Sequence, residues 1–97
     1  MRTKSNSQEV LAKFFGSVSR ARILDLLSTN FGRSFYQREI MFETGLSLQP
    51  VQRELNNLVE LGIIKKKETN HRVFYQIDVN SPFFKPLGDI IGSVSEA

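Results

Sequence analysis

The sequence predicts a mainly α fold with a small β-hairpin, in the α+β class. Apolar residues recur at intervals of three and four in five separate segments, which is the period of amphipathic helices. Two further segments, 63–69 and 73–79, flank a short polar turn and predict a pair of antiparallel strands. With 97 residues the chain is long enough for one hydrophobic core, so these elements belong to a single domain.

The first part of the chain predicts a tail and two helices. Residues 1–7 are polar and predict a flexible tail. The first helix ends at Gly16, and Ser17 is placed to cap the second, which spans 18–29. The inward stripe of the second helix consists of Ile23, Leu24 and Leu27.

The centre of the chain predicts two helices separated by a tight turn. After a short β-prone pair at 35–36, the first of them spans 37–44 and ends at Gly45, since glycine readily adopts the left-handed conformation of a sharp turn. Ser47 is placed to cap the second, at about 47–61. Its apolar stripe consists of Val51, Leu55 and Leu58, with Leu61 as a candidate fourth member.

This order of elements satisfies the requirements of a helix-turn-helix, since the two central helices meet at a glycine-containing turn and the second is amphipathic. The hairpin that follows is then a wing. In such a fold the second helix lies in the DNA major groove and the wing reaches neighbouring phosphates. We therefore expect a winged helix-turn-helix domain at 8–79 and a C-terminal helix at 80–97 that belongs to the same domain.

Several stretches carry a family resemblance: 15–17, 20–24, 38–40, 44–47, 51–55, 58, 61–64 and 70–75. In their joint order and spacing, over roughly residues 14–79, they resemble the winged helix-turn-helix of ArsR-like transcriptional regulators. The resemblance implies a prokaryotic, dimeric, sequence-specific DNA-binding protein, usually a repressor. Metal-sensing members carry thiolates, or carboxylate and histidine ligands on the last helix. This chain has no cysteine and one histidine far from that helix, so we expect no metal and no cofactor.

The polar face of the second central helix predicts contacts to DNA bases. Glutamine and asparagine can bond adenine with two hydrogen bonds, and arginine can do the same with guanine. The candidates are Leu48, Gln49, Pro50, Gln52, Arg53 and Asn56. The alternative is a solvated polar face. Competing roles of single residues are pairing of Arg53 with Glu54, Glu60 or a phosphate, and inward packing of Leu48.

The hairpin holds the excess positive charge. Residues 63–76 contain four basic residues and one acid. The net charge of this segment is therefore +3, which equals the formal net charge of the whole chain. This clustering indicates an anionic partner, although lysines on an edge strand also discourage aggregation. Because strand residues alternate, we expect Lys65 and Lys67 to share a face, with Lys66 opposite. The candidates for backbone or minor-groove contact are Arg38, Ser47, Lys65, Lys66, Lys67, Asn70, His71 and Arg72. Arg20 or Arg22 is a weaker candidate for phosphate contact.

The last helix is apolar over much of its circumference, which predicts a homodimer interface. The candidate residues are Phe14, Phe83, Phe84, Leu87, Ile90, Ile91 and Val94.

Other function classes have little support in the sequence. No phosphate-binding glycine loop, matched nucleophile and histidine, or metal-ligand cluster is present, so we do not expect an enzyme. No long apolar run or leader is present, so we expect no membrane span and a cytoplasmic location. The alternative function is a protein-interaction module that no longer binds DNA, which the net charge of only +3 and Phe42 keep open. The sequence does not indicate the roles of Phe42 and Glu43. The operator, the sign of regulation and any small-molecule effector are not indicated.

Overall fold

The computed structural model describes residues 5–95, which form five helices and a three-stranded antiparallel sheet and confirm the mainly helical α+β class. The elements in chain order are α1 (Ser5–Phe15), α2 (Val18–Thr29), β1 (Phe35–Tyr36), α3 (Gln37–Thr44), α4 (Leu48–Glu60), β2 (Ile64–Thr69), β3 (Arg72–Ile77) and α5 (Phe84–Ser95).

The helices of the first half agree closely with the sequence prediction. α2 and α3 have the predicted bounds, and Ser17 caps α2 by accepting a 3.0 Å hydrogen bond from the Arg20 N–H. The predicted tail spans 1–7, whereas α1 begins at Ser5. Residues 1–4 lie outside the described residues.

α4 has one buried and one exposed face. Val51, Leu55 and Leu58 are fully buried, as their spacing predicts. Leu61 is instead half-exposed and is not a fourth member of that stripe. The reason is that the helix ends at Glu60, after which the left-handed Gly62 turns the chain toward β2.

The sheet has the order β1-β3-β2, and its hairpin has a tighter turn than predicted. Only Asn70 and His71 form the turn, both with positive φ, which is a two-residue type I′ connection. Arg72 therefore belongs to β3 and pairs with Thr69. β3 ends at Ile77, two residues earlier than predicted.

The core lies between α2, α3, α4 and one face of the sheet, with α5 covering part of α2. Its largest fully buried side chains include Ile23, Leu27, Phe35, Ile40 and Leu55. α5 packs against α1 and α2, and the start of α1 contacts the end of α5 where the Ser7 hydroxyl donates to the Val94 carbonyl at 3.5 Å. None of the helices in the described part is long and apolar enough to cross a membrane.

Candidate nucleic-acid interface

The turn between α3 and α4 is held by backbone geometry and by one arginine. Gly45 has φ 74°, and its N–H donates to the Met41 carbonyl at 2.9 Å, which closes the last turn of α3. The Arg22 guanidinium donates to the Thr44 carbonyl at 3.1 Å. Arg22, a weak candidate for phosphate contact in the sequence, therefore caps the C-terminus of α3, where a cation is favoured by the helix dipole.

The α4 outer face, as we name Gln49, Gln52, Arg53 and Asn56, is exposed to solvent along the helix. Among the described residues Arg53 takes part in no ion pair, so its predicted alternative pairing with Glu54 or Glu60 does not form. Leu48, in the first turn, is 45% exposed and does not pack inward. Pro50 is half-buried beside it. The arrangement presents three amides and one guanidinium on one rigid helix.

An ion pair that the sequence reasoning missed joins α4 to α2. The Arg20 Nε lies 2.8 Å from Glu54 Oε1, and the Glu54 side chain is only 7% exposed. Arg20 was a weak phosphate candidate, and this contact assigns it a structural role instead. The signal was present in the sequence, because Glu54 lies at helical spacing from Val51 and Leu58 on the inward stripe. A buried carboxylate needs a cation, and Arg20 supplies it.

Two candidates for backbone contact lie near helix N-termini. Ser47 is the N-cap residue of α4 as predicted, but its side chain makes no capping hydrogen bond and is exposed. Arg38 is exposed in the first turn of α3 and forms no ion pair within the described part of the chain. Both side chains are therefore accessible to a ligand.

The three lysines of β2 are divided between the two faces of the sheet, as alternation predicts. Lys65 pairs with Gln76 and Lys67 with Phe74, so these two lysines share a face. Lys66 lies on the opposite face, where its Nζ is 3.8 Å from a carboxylate oxygen of Glu68. The positive charge of Lys66 is thus partly compensated. Those of Lys65 and Lys67 have no acidic partner among the described residues.

The outer sheet face is the name we give to the side of the sheet that carries Tyr36, Lys65, Lys67, Arg72 and Phe74. The Tyr36 and Phe74 rings lie across β1 and β3 with their centroids 4.5 Å apart and their planes 31° apart. Arg72 donates to the Tyr36 hydroxyl at 2.9 Å. Sequence reasoning assigned Arg72 to the turn and missed this aromatic pair, because it depends on the pairing of β1 with β3. At the turn itself, Asn70 and His71 are exposed.

The candidate dimer residues differ in accessibility. Ile91 is 2% exposed and packs in the core of its own chain, where it is not accessible to a second copy. The half-buried members pack against that core: Phe84, Leu87, Ile90 and Val94. Phe14, at 62% exposed, and Phe83, at 47%, are the most accessible members of the set. α5 is thus mainly a cover for α1 and α2, with exposed apolar side chains beside it.

A polar groove of about 330 Å³ opens between α1, α2 and the end of α3. It is lined by Gln8, Arg22, Asp25 and Glu43, among others. Burial raises the pKa of the Asp25 carboxyl above its ordinary value, against the lowering effect of the hydrogen bond that Gln8 donates to it at 2.8 Å. Among the described residues no group of three or more His, Asp or Glu is placed to hold a metal ion.

A scan against protein-family models, a search of curated proteins and a search of solved structures each found no match to this chain.

Proposed function

We propose that the protein is a sequence-specific double-stranded DNA-binding transcriptional regulator, and specifically a repressor of the ArsR-like winged helix-turn-helix type. The observation that carries the proposal is the α4 outer face. Four side chains with the hydrogen-bonding chemistry of base readers lie exposed on a helix whose opposite face is anchored in the core.

The anchoring matters because direct base readout requires side chains to be held on a rigid element. α4 is fixed by Val51, Leu55 and Leu58 in the core and by the ion pair from Glu54 to Arg20. In the proposed role α3, Gly45 and α4 are the helix-turn-helix. Residues at the start of α4 then meet base edges, with Leu48 and Pro50 as apolar neighbours.

The hairpin supports the role of a wing that contacts phosphates. Its exposed cations would place the protein on the duplex without reading sequence, as backbone contacts generally do. The proposed backbone contacts are Arg38, Ser47, Lys65, Lys66, Lys67, Asn70, His71 and Arg72. Lys66 is the weakest of these because Glu68 already neutralises part of its charge.

The proposal includes a two-fold homodimer, since the modest charge of one hairpin gives little affinity alone. Phe14 and Phe83 are two of the accessible apolar residues near α1 and α5, and a second copy would cover them. Two recognition helices about 34–36 Å apart would then meet successive major grooves. Light scattering at micromolar concentration checks this: a dimer is expected, and a Phe14→Ser, Phe83→Ser variant should be monomeric. A monomeric parent protein would overturn this part of the proposal.

The decisive experiment is selection of duplex DNA from a random pool by the purified protein, followed by anisotropy titration of the selected site. Arg53→Ala should weaken binding to the selected site by roughly 5- to 150-fold and relax its sequence preference. Lys13→Ala, an exposed change of equal charge on α1, is the matched control and should change affinity little. A pool without enrichment would refute base readout. So would an Arg53→Ala variant that binds the selected site as tightly as the unchanged protein does and with the same sequence preference.

One observation favours the alternative of a protein-interaction module. Phe42 on α3 is 83% exposed, and no described contact explains its position. Under this alternative a stoichiometric protein partner co-purifies with the chain and is lost in Phe42→Ser. DNA retention at low salt would then be absent.

A further inference from the structure

We propose that the outer sheet face binds single-stranded nucleic acid by stacking unpaired bases on Tyr36 and Phe74. This goes beyond the proposed readout of duplex DNA, because it uses two aromatic rings that have no part in that readout and a ligand whose bases are not paired. The cations of this face, Lys65, Lys67 and Arg72, are shared with the proposed duplex contacts. Three features support the proposal: the aromatic pair, the charge around it and the separation of the two faces of the sheet.

The aromatic pair is already ordered for stacking. The centroids of the Tyr36 and Phe74 rings lie 4.5 Å apart with their planes at 31°, and both residues are only partly buried. The hydrogen bond from Arg72 to the Tyr36 hydroxyl holds that ring in place. Aromatic side chains on a rigid sheet stack nucleobases with little dependence on sequence, because every base has a π face.

The charges that β2 and β3 place on the outer sheet face are all positive. Glu39 also lies beside Tyr36, where its Oε1 accepts a 2.8 Å hydrogen bond from the Tyr36 N–H, but its other oxygen is paired with Arg33 at 3.2 Å. Lys67 is the direct cross-strand neighbour of Phe74, and Lys65 follows on the same face. Arg72 completes three cations beside two aromatic rings. Glu68, the only acid in β2 and β3, lies on the opposite face with Lys66. A phosphate backbone would therefore follow the lysines while its bases reach the rings.

Each feature alone has a purely structural explanation. Their combination on one face distinguishes a binding surface from a sheet that is only stabilised. A cross-strand aromatic pair stabilises a sheet, and edge lysines discourage aggregation. Neither effect requires the aromatic rings to be accessible to a base or to share a face with the uncompensated cations. Duplex DNA is a poor ligand for such a face, because its bases are stacked inside the helix and only their edges reach the grooves.

The test is an anisotropy titration of the full chain with a labelled oligothymidylate of about 12 nucleotides at low salt, beside an abasic strand of the same length. The abasic strand carries the same phosphate charge without bases, so it should bind at least roughly five-fold more weakly. Oligouridylate in a parallel titration decides whether the single strand is DNA or RNA, since only RNA has the 2′-hydroxyl.

Variants then assign the binding to this surface. Phe74→Leu keeps an apolar side chain but removes the ring, and it should weaken oligothymidylate binding by roughly five- to ten-fold without changing the affinity for the abasic strand. Lys67→Ala should weaken both strands. Lys66→Ala removes the same charge from the opposite face and is the matched control, with a smaller effect.

Two results would overturn the inference: equal affinity for the oligothymidylate and the abasic strand, or equal losses in Lys66→Ala and Lys67→Ala. The first comparison uses the unchanged protein and so does not depend on how a variant folds. Arg53→Ala should leave oligothymidylate binding unchanged. Failure of duplex readout and failure of single-strand stacking are therefore observed separately.

Discussion

α4 and the β2–β3 hairpin both carry candidate nucleic-acid contacts, but they are held in place by different means. α4 buries a complete face, including the carboxylate of Glu54. In β2 only Ile64 is buried, and the other five residues are exposed. The geometry of α4 thus depends on the tertiary core. Of the hairpin, Ile64, Tyr75 and Ile77 also lie in that core, whereas β2 beyond Ile64 and the turn are held by backbone pairing with β3. Substitutions should consequently couple stability to binding in α4 and separate the two in the hairpin.

The largest expected effect comes from truncating a core side chain beneath α4. Leu55→Ala should lower the free energy of unfolding by about 2–5 kcal/mol, because it leaves a cavity where the side chain is fully buried. Lys67→Ala in the hairpin should change it by no more than about 0.5 kcal/mol. Urea unfolding followed by circular dichroism measures both. Similar values for the two variants would show that α4 is not anchored as described.

The second prediction concerns the ion pair between Arg20 and Glu54. Glu54→Ala and Arg20→Ala should each destabilise by about 1–3 kcal/mol, less than an entirely buried pair because Arg20 keeps contact with solvent. A double-mutant cycle should show strong coupling, since the second change removes an already unpaired charge. The exposed pair of Lys66 and Glu68, 3.8 Å apart, provides the matched cycle and should couple by less than about 1 kcal/mol. Equal coupling in the two cycles would contradict the structural role given to Arg20.

The third prediction tests the turn that leads into α4. Gly45→Ala should cost about 1–2 kcal/mol, because the residue has φ 74°. Steric conflict adds little, since a Cβ there would meet Arg22 at an ordinary 3.9 Å. Gly88→Ala, within helix α5 and facing open space, is the control and should stabilise by about 0.5–1 kcal/mol. Thermal unfolding gives both signs, and a stabilising Gly45→Ala would refute the left-handed turn.

The elements that local patterns determine were predicted well. α2 and α3 have their predicted bounds because the residues that limit them act locally. Ser17 accepts a hydrogen bond from the N–H of Arg20, and Gly45 adopts a left-handed backbone conformation. The alternation that separates Lys66 from Lys65 and Lys67 is likewise a local property of a strand. These features require no knowledge of distant residues.

The parts that were wrong or missed depend on distant partners. The ion pair of Arg20 joins residues 34 positions apart, and the ring contact of Tyr36 with Phe74 requires β1 to pair with β3. Ile91 follows the same apolar period as its neighbours on α5, and a period alone does not tell which members face their own core. An acid on an apolar stripe, as at Glu54, was the one usable signal.

The smallest expected effect concerns the backbone conformation of the hairpin turn. Asn70 and His71 both have positive φ, and a type I′ turn favours glycine at the second of these positions. His71→Gly should therefore stabilise the protein by about 0.5–1 kcal/mol, by removing the cost of a left-handed histidine. Asn70→Gly is the control and should gain less, because asparagine tolerates that conformation. Thermal unfolding measures both changes. A destabilising His71→Gly would mean that the imidazole makes contacts that outweigh its backbone cost, and the hairpin would then depend on side chains as α4 does.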